Sequence, residues 1–279
     1  MRFSHVYCGV QTVRHLVIPT FQFIHMKNIK KRIKQGEAVN GCWLNLGNAL
    51  SAEIVGTAGF DWLLIDLEHG AGNEQVLLSQ LQALESSNTA AFVRIESNAK
   101  PRIHRVLDFG VEGVMCPHVD TPEEARAFVN GIRYPPLGSR GIARMVRASG
   151  FGRNLAEYTK NANDTIVGIA QIESPEALRH LDEIAAIDGI DVLFIGPADL
   201  SISLGIFGQF DHPLFVDGIK ATIGAAQKAG KSAGILLSNP DDYNTYYNLG
   251  MRFIACGSDA GFIAEGSRNL AAILNSKKR

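Results

Sequence analysis

The sequence is poor in the features that mark several large classes of protein. Its 279 residues carry 27 basic and 28 acidic side chains, so it lacks the positive surplus expected of a protein that binds nucleic acid or an anionic membrane. Its four cysteines are widely spaced and form no C-x-x-C pair, and three of them lie in predicted strands, where free cysteine behaves as a small apolar side chain. We therefore expect a small-molecule partner and a reducing, cytoplasmic compartment.

The amino-terminal segment lacks acidic residues, because none precedes Glu37. An acid-free leader with arginines is typical of organelle targeting. The longest apolar stretch there, residues 16–24, is interrupted by proline, threonine and glutamine, which makes a secretory signal poor and a transmembrane helix too short. We expect residues 1–25 to be an extension or a misassigned start, and residues 26–279 to form a single domain without a membrane span.

Eight short apolar runs, rich in β-branched residues, recur along the rest of the sequence. These predicted strands lie near residues 41–46, 62–68, 90–95, 113–119, 166–173, 192–197, 232–237 and 252–257. Segments of helical period separate them, at residues 48–58, 73–85, 101–109, 122–131, 175–187, 214–229 and 241–249. Eight such alternations predict an α/β fold, a closed (β/α)8 TIM barrel, which needs roughly 250 residues. The long interruption at residues 133–163 predicts a functional loop.

Polar side chains close three of the predicted strands. Asp66, Glu68 and His69 follow an apolar run, and Glu173 and Asp199 follow two later runs. The carboxyl ends of the strands are where barrel enzymes place their catalytic groups. These five side chains are therefore the first candidates for an active site.

Glu173 and Asp199 follow neighbouring strands, whose axes are about 4.8 Å apart. Two facing carboxylates repel each other and raise one pKa unless a cation lies between them. A divalent metal would resolve the repulsion, and two oxygen ligands suit Mg²⁺ or Mn²⁺, with Co²⁺ possible, better than zinc. Gln171 shares a strand face with Glu173 and would hydrogen-bond substrate or a water on the metal. The alternative is that Glu173 pairs with an arginine in the barrel mouth.

His69 is the candidate general base, with Asp66 as the carboxylate that orients its ring. The alternative is a polar residue satisfied at a strand end. Arg94 ends another strand, where it would clamp a carboxylate or stabilise an enolate oxygen, or else form an ion pair with a barrel carboxylate. For Glu68 two orientations remain open, towards a water on the metal or towards the helix layer.

The turn at residues 196–201 leads into a helix, whose first backbone N–H groups, those of Ala198 and Asp199, can hold an anion. His118 is expected to be a packed loop residue. Ser258 and Asp259 could bind phosphate, although few glycines surround them.

Five ordered motifs resemble those of the HpcH/HpaI aldolases, the metal-dependent class II pyruvate aldolases. They are Glu68-His69-Gly, Phe92-Val-Arg94, Arg133-Tyr-Pro-Pro, Gln171-Ile-Glu173-Ser and Ile195-Gly-Pro-Ala-Asp199-Leu-Ser. The resemblance covers nearly all of residues 27–273. It is strongest to the branch that includes 4-hydroxy-2-oxoheptanedioate aldolase and 2-dehydro-3-deoxyglucarate aldolase.

That resemblance implies a barrel of the phosphoenolpyruvate/pyruvate type and a homohexamer built from dimers that exchange a terminal helix. It also implies a role for each candidate: base for His69 with Asp66, enolate stabiliser for Arg94, metal ligands for Glu173 and Asp199, and a pyruvate carboxylate site for the amides of Ala198 and Asp199. The sequence departs from the family pattern at residues 116–118 and 149–151, where the aldehyde half of the substrate would be bound.

The implied reaction is reversible cleavage of a 4-hydroxy-2-oxo acid to pyruvate and an aldehyde, such as succinic or tartronate semialdehyde. His69, directly or through a water, would remove the C4 hydroxyl proton, and the pyruvate enolate would then be protonated. A Schiff-base aldolase needs a desolvated lysine at a strand end. The lysines here lie at 27–34, on helices, or at Lys231, on the wrong end of its strand. A citrate-lyase-β-like CoA-ester lyase, or a non-catalytic ligand-binding barrel, remains the alternative.

Overall fold

Eight parallel strands close into a barrel in the computed structural model, which describes residues 29–278. The strands are β1 Val39–Leu44, β2 Trp62–Asp66, β3 Ala90–Arg94, β4 Gly113–Cys116, β5 Val167–Ile172, β6 Val192–Ile195, β7 Ser232–Leu237 and β8 Phe253–Ser258. Each strand pairs with the next along the chain, and β8 closes on β1. The predicted TIM barrel is confirmed.

Twelve helices accompany the strands in the described part of the chain. They are α1 Ile29–Lys34, α2 Ala49–Gly56, α3 Glu74–Ala83, α4 Lys100–Asp108, α5 Pro122–Ile132, α6 Leu155–Thr165, α7 Pro175–Arg179, α8 Leu181–Ala186, α9 Pro197–Ser203, α10 Pro213–Lys228, α11 Tyr243–Leu249 and α12 Asp259–Ser276. The predicted segment 175–187 is two helices, separated at His180. Within the predicted loop 133–163 lies most of α6, whose N-cap residue Asn154 makes no side-chain capping bond.

The barrel interior is filled by large aromatic side chains that lie against glycines of the neighbouring strand. Trp62 pairs in register with Gly41, Phe92 with Gly113, and Phe194 with Gly234. The missing Cβ atoms leave the space that the rings occupy. The ring of Trp62 also stacks on that of Phe253, with centroids 4.1 Å apart. Alternation of small and large residues lets this narrow barrel fill at native density.

Helix α1 closes the amino-terminal end of the barrel. Ile29 and Ile33 pack into the same interior cluster as the aromatic rings. Between them Lys30 is buried, and its ammonium lies 2.9 Å from the carboxylate of Asp191 and donates to the carbonyl of Ile166. The predictions for residues 1–25 and for a start at Met26 lie outside the described residues.

The segment between α5 and α6 lies on the amino-terminal side of the barrel. Its 3-10 turn, Arg147–Ser149, is held by bonds from Arg147 to the carbonyl of Phe109 and the carboxylate of Glu85, which follow the carboxyl ends of α4 and α3. Helices of a βα barrel run back towards the amino ends of the strands. Residues 149–151 of one chain therefore lie away from its own barrel mouth, contrary to our expectation that they contact the aldehyde.

Helix α12 leaves the barrel with its apolar side chains in water. Only its first residue, Asp259, is buried, whereas the exposed apolar side chains are Phe262, Ile263, Leu270, Ile273 and Leu274. Among residues 29–278, no helix is both long and apolar enough to cross a membrane. A free helix of this kind gains nothing from burial within one chain, so its apolar face is available for contact with another protein surface.

Gly41→Ala is expected to destabilise the barrel, because an added Cβ would lie 2.2 Å from ring atoms of Trp62. Overpacking of a filled core costs about 1–3 kcal/mol or more in the free energy of unfolding. Urea denaturation measures it. The control is Gly224→Ala at an exposed position of α10, where a Cβ meets nothing within 4 Å and the gain should be about 0.5–1 kcal/mol. Equal stability of the two variants would contradict the packing account.

Candidate active site

Asp66 and Arg94 form a buried ion pair at the carboxyl ends of β2 and β3. They are register partners and the last residues of their strands. The guanidinium Nε donates to Asp66 Oδ1 at 2.9 Å and Nη2 to Oδ2 at 2.7 Å, a two-pronged bond that fixes both side chains. Burial alone would lower the pKa of Arg94, but the bonds and charge of Asp66, with the charges of Glu68 and Glu173, raise it overall. The alternative of an ion pair with a barrel carboxylate is thus the one that the structure shows.

The carboxylate of Asp66 contacts His69 through the backbone, not through the ring. Its Oδ1 accepts the backbone N–H groups of Glu68 and His69 at 3.1 and 3.2 Å, and its Oδ2 accepts Asn45 Nδ2 at 2.9 Å. With Arg94 these bonds occupy both oxygens. The imidazole is 66% exposed, and its Nε2 lies 3.8 Å from Glu68 Oε2. The predicted carboxylate–imidazole bond is therefore replaced by a turn that presents the ring to the mouth.

Glu68 lies in the barrel mouth, where its carboxylate is 12% exposed and its Oε2 is 3.1 Å from Arg94 Nη1. Its Oε1 is 3.9 Å from Nε2 of His118. Of the two orientations left open by the sequence, the one towards the helix layer is wrong. Glu68 instead adds a carboxylate to the mouth, beside that of Asp66.

Glu173, the residue after β5, is the most deeply buried of the predicted metal ligands, at 3% exposure. Its Oε1 accepts the backbone N–H of His118 at 2.8 Å and lies 3.1 Å from the Nδ1 of the same residue. Burial raises the pKa of Glu173, and the charges of Asp199 and Glu68 raise it further, against the opposing effect of His118. This carboxylate therefore lacks sufficient positive charge among its protein neighbours.

An unused hydrogen-bond acceptor adjoins Glu173. Gln171 donates its amide N–H to Glu173 Oε2, and its own Oε1 is buried without a hydrogen-bond partner. A Cβ at Gly196 would lie 2.5 Å from Glu173 Oε2 and 2.8 Å from Gln171 Nε2, so glycine is needed for these two side chains to lie against the start of α9. Buried polar atoms are almost always satisfied, so the orphan oxygen marks a place for a bound donor.

Asp199 reaches this point from the first turn of α9. Its carboxylate is close enough to Glu173 to raise the pKa of that group. Ser203 Oγ donates to the backbone carbonyl of Glu173 at 2.9 Å and so ties α9 to the end of β5. Helix α9 begins at Gly196 without a side-chain cap, and Ala198 is exposed. The first N–H groups of a helix have no partner within it, so those of Ala198 and Asp199 remain available to an anion.

Ser258 and Asp259 do not form a phosphate site. Asp259 is buried and accepts the backbone N–H of Asn45 at 2.8 Å and the hydroxyl of Ser51 at 2.8 Å. A buried carboxylate would repel phosphate. Instead it joins the loop after β1 to the start of α12, and Asn45 in turn bonds Asp66.

The residues present fit a divalent cation. Two carboxylates converge, one of them buried with a raised pKa, beside an orphan amide oxygen. All are hard oxygen donors, which Mg²⁺ and Mn²⁺ prefer. Across residues 29–278, no group of three or more His, Cys, Asp or Glu side chains is arranged to hold a metal. A two-carboxylate site leaves positions for a ligand that itself supplies oxygens.

Comparison with known proteins was made for the whole chain. The family model HpcH/HpaI aldolase/citrate lyase matches residues 40–265. The chain belongs to this family and is an aldolase, a lyase. It is 41% identical over 256 residues, which are 91% of this chain and 97% of the relative, to the 4-hydroxy-2-oxo-heptane-1,7-dioate aldolase of Salmonella arizonae.

Two further likenesses extend the comparison. A pyruvate aldolase of Rhizobium etli is 41% identical over 247 residues, which cover 88% of this chain and 97% of that relative. The crystal structure of a family protein from Burkholderia cenocepacia superposes with a TM-score of 0.85 at 33% identity, over 89% of this chain and 99% of that one. The barrel is therefore that of the family.

Sequence reasoning underestimated His118. Its side chain is 64% exposed in the mouth and its φ is +49°, an uncommon conformation for a residue with a Cβ. The backbone and the ring both contact Glu173. Its position two residues after β4 is the same kind of signal that identified His69 after β2, so it was available in the sequence.

Asp66→Ala is expected to lower the free energy of unfolding by about 3–5 kcal/mol, because it leaves the Arg94 guanidinium buried without its main partner. The matched control is Glu37→Ala. That carboxylate pairs with Arg32 at 2.9 Å but is 48% exposed, so its loss should cost less than about 1 kcal/mol. Chemical denaturation of both variants checks this, and a loss at Asp66 as small as the control would show that the pair is not structural.

Proposed function

We propose that the protein catalyses the reversible, metal-dependent cleavage of a 4-hydroxy-2-oxo acid to pyruvate and an aldehyde, as a class II pyruvate aldolase. The observation that carries the proposal is the buried carboxylate of Glu173, beside Asp199 and the orphan oxygen of Gln171, at the barrel mouth. The names of two relatives, an aldolase for 4-hydroxy-2-oxo-heptane-1,7-dioate and a pyruvate aldolase, support the same reaction.

Glu173 and Asp199 would hold Mg²⁺, Mn²⁺ or Co²⁺. When bound, the cation acts as a Lewis acid that polarises the 2-oxo group and favours the enolate. The unmade hydrogen bond of Gln171 Oε1 suits a donor in the same space. Glu68 adds negative charge nearby, which favours retention of a cation.

The substrate carboxylate would be bound by the backbone N–H groups of Ala198 and Asp199 at the uncapped start of α9. Arg94 would stabilise the negative charge that develops on the enolate oxygen. Its guanidinium is already fixed by Asp66 on one edge, so it needs little reorganisation to do so. Arg94 has two carboxylate partners. Asp66 forms the two-pronged bond, and Glu68 lies near the remaining nitrogen, Nη1.

His69 would take the proton from the C4 hydroxyl, directly or through a water, as the bond between C3 and C4 breaks. Its ring is exposed in the mouth, with Nε2 3.8 Å from Glu68 Oε2. The aldehyde then leaves, and the pyruvate enolate is protonated at C3. Asp66 contributes by holding the His69 backbone, which sets where the ring stands.

The aldehyde half is proposed to be a short acid semialdehyde. Cleavage of 4-hydroxy-2-oxoheptanedioate, the substrate in the name of the Salmonella relative, gives succinic semialdehyde. The imidazole groups of His69 and His118 are both exposed at the mouth, where they can donate to a distal carboxylate. Tartronate semialdehyde is the second candidate product on the same chemistry.

A homo-oligomer is also proposed, a hexamer by the family resemblance. The exposed apolar side chains of α12, and Leu50 and Ile54 on neighbouring α2, at 63% and 62% exposure, form a surface that a second copy can cover. The three described cysteines, Cys42, Cys116 and Cys256, are free thiols, which supports a reducing, cytoplasmic setting.

EDTA is expected to abolish cleavage of 4-hydroxy-2-oxoheptanedioate, and Mg²⁺, Mn²⁺ or Co²⁺ to restore it. Glu173→Gln should lower activity at any metal concentration, because the buried ligand loses its charge. The matched control is Glu176→Gln, three residues further on and exposed, which should leave the rate unchanged. Coupled detection of pyruvate measures all of these. Full activity in chelator would contradict the proposal.

His69→Ala is expected to reduce turnover by a factor on the order of 10² to 10⁴, the usual contribution of a positioned base. Metal affinity should remain, because no predicted metal ligand contacts the ring. His180→Ala serves as control, since that ring pairs with Glu183 on α8, 3.3 Å away. Loss of metal binding in His69→Ala would make His69 a ligand and remove it as the base.

A further inference from the structure

A second cavity lies at the amino-terminal end of the barrel, opposite the active site. It has a volume of about 420 Å³ and lies between α8 and α10, beside the residue that precedes β7. Its walls include four alanines, Ala185, Ala186, Ala225 and Ala229. Small-molecule sites commonly have volumes of about 300–1,000 Å³ and apolar walls, so this cavity is large enough for a small organic ligand.

The charged side chains of the cavity are paired, with one exception. Lys228 lies 2.7 Å from Asp182, and Asp188 lies 2.8 Å from Arg133. Lys231 is the exception, because its ammonium donates to the backbone carbonyl of Ile187 and, within residues 29–278, forms no ion pair within 4 Å. A backbone carbonyl accepts a proton from an amine as well as from an ammonium, so this contact does not require the charged form.

The surroundings of Lys231 increase the fraction of its side chain that is a neutral amine. Burial lowers its pKa to about 8, and the charges of Arg133 and Lys30 also lower it, while Asp191 and Asp188 oppose the shift. Across the cavity, Lys228 and Asp182 form a neutral pair. Near neutral pH the neutral fraction of Lys231 is then larger than that of an ordinary lysine by a factor on the order of 10².

We propose that Lys231 is a covalent capture site for small aldehydes, with the alanine-walled cavity holding the carbon chain. The amine nitrogen adds to the aldehyde carbonyl carbon, the resulting carbinolamine loses water, and a reversible imine remains. No oxidant or reductant is needed. The inference rests on the proposed function only for the source of the aldehyde in the cell, which would be aldol cleavage. The capture of an added aldehyde does not require aldolase activity.

This site would not take part in the aldol reaction. Lys231 precedes β7, whereas the catalytic candidates follow the carboxyl ends of β2, β3, β5 and β6. Borohydride trapping of an aldehyde on this protein would therefore occur without a Schiff-base mechanism at the active site. The adduct would fill the cavity between α8 and α10 and leave the mouth open.

The test uses added glyoxylate with cyanoborohydride at pH 7.5, followed by peptide mapping by mass spectrometry. We expect carboxymethylation of Lys231 at least tenfold faster than that of Lys228, which shares the cavity but is paired. Lys231→Arg should remove this modification, and the matched Lys228→Arg should retain it. Labelling of Lys231 should increase as the pH rises towards and through 8.

Two results would overturn the proposal: no adduct at Lys231, or adducts spread over lysines according to exposure. If Lys231→Arg fails to fold, competitive acetylation of the unaltered protein decides the matter, since Lys231 must then react as an amine that titrates near pH 8. Cleavage activity is assayed on the same samples. Loss of that activity with intact labelling would count against the proposed aldolase and not against capture.

Discussion

The barrel mouth depends on how the negative charge of its buried carboxylates is balanced. Asp66 is fully buried and receives compensating positive charge from Arg94, its register partner on the next strand. Glu173 is nearly as buried but has no such two-pronged partner, and burial, Asp199 and Glu68 raise its pKa against the opposing effect of His118. A buried carboxylate without a cation is costly. The uncompensated negative charge around Glu173 is therefore what makes the mouth a binding site. The ion pair of Asp66 with Arg94 is what makes the mouth rigid.

The fold was predictable because each strand is a short apolar run between turn signals, and the core followed from it. Glycines opposite Trp62, Phe92 and Phe194 could not be paired from the sequence, since that requires the register between strands. Helix α12 was not among the predicted helices, and within residues 29–278 its apolar side chains are left exposed.

The site was predictable in membership but not in its contacts. The positions of Glu173 and Asp199 after neighbouring strands were sufficient to bring them together. From the sequence, Asp66 was predicted to bond the ring of His69, three residues away. Its side-chain partner is instead Arg94, which is 28 residues away along the chain but adjacent across strands. Spacing along the sequence suggests side-chain partners that are close in the chain. The partner that is closest in space is known only once the register between neighbouring strands is known.

Mn²⁺ binding, followed by electron paramagnetic resonance, tests the central claim most directly, that Glu173 and Asp199 hold one divalent cation on which a 2-oxo acid binds. The account predicts one tight site per chain, a spectrum that changes when pyruvate is added, and weakened binding in both Glu173→Gln and Asp199→Asn with Glu176→Gln unchanged. Undiminished Mn²⁺ binding in the two site variants, or no response to pyruvate, would contradict it.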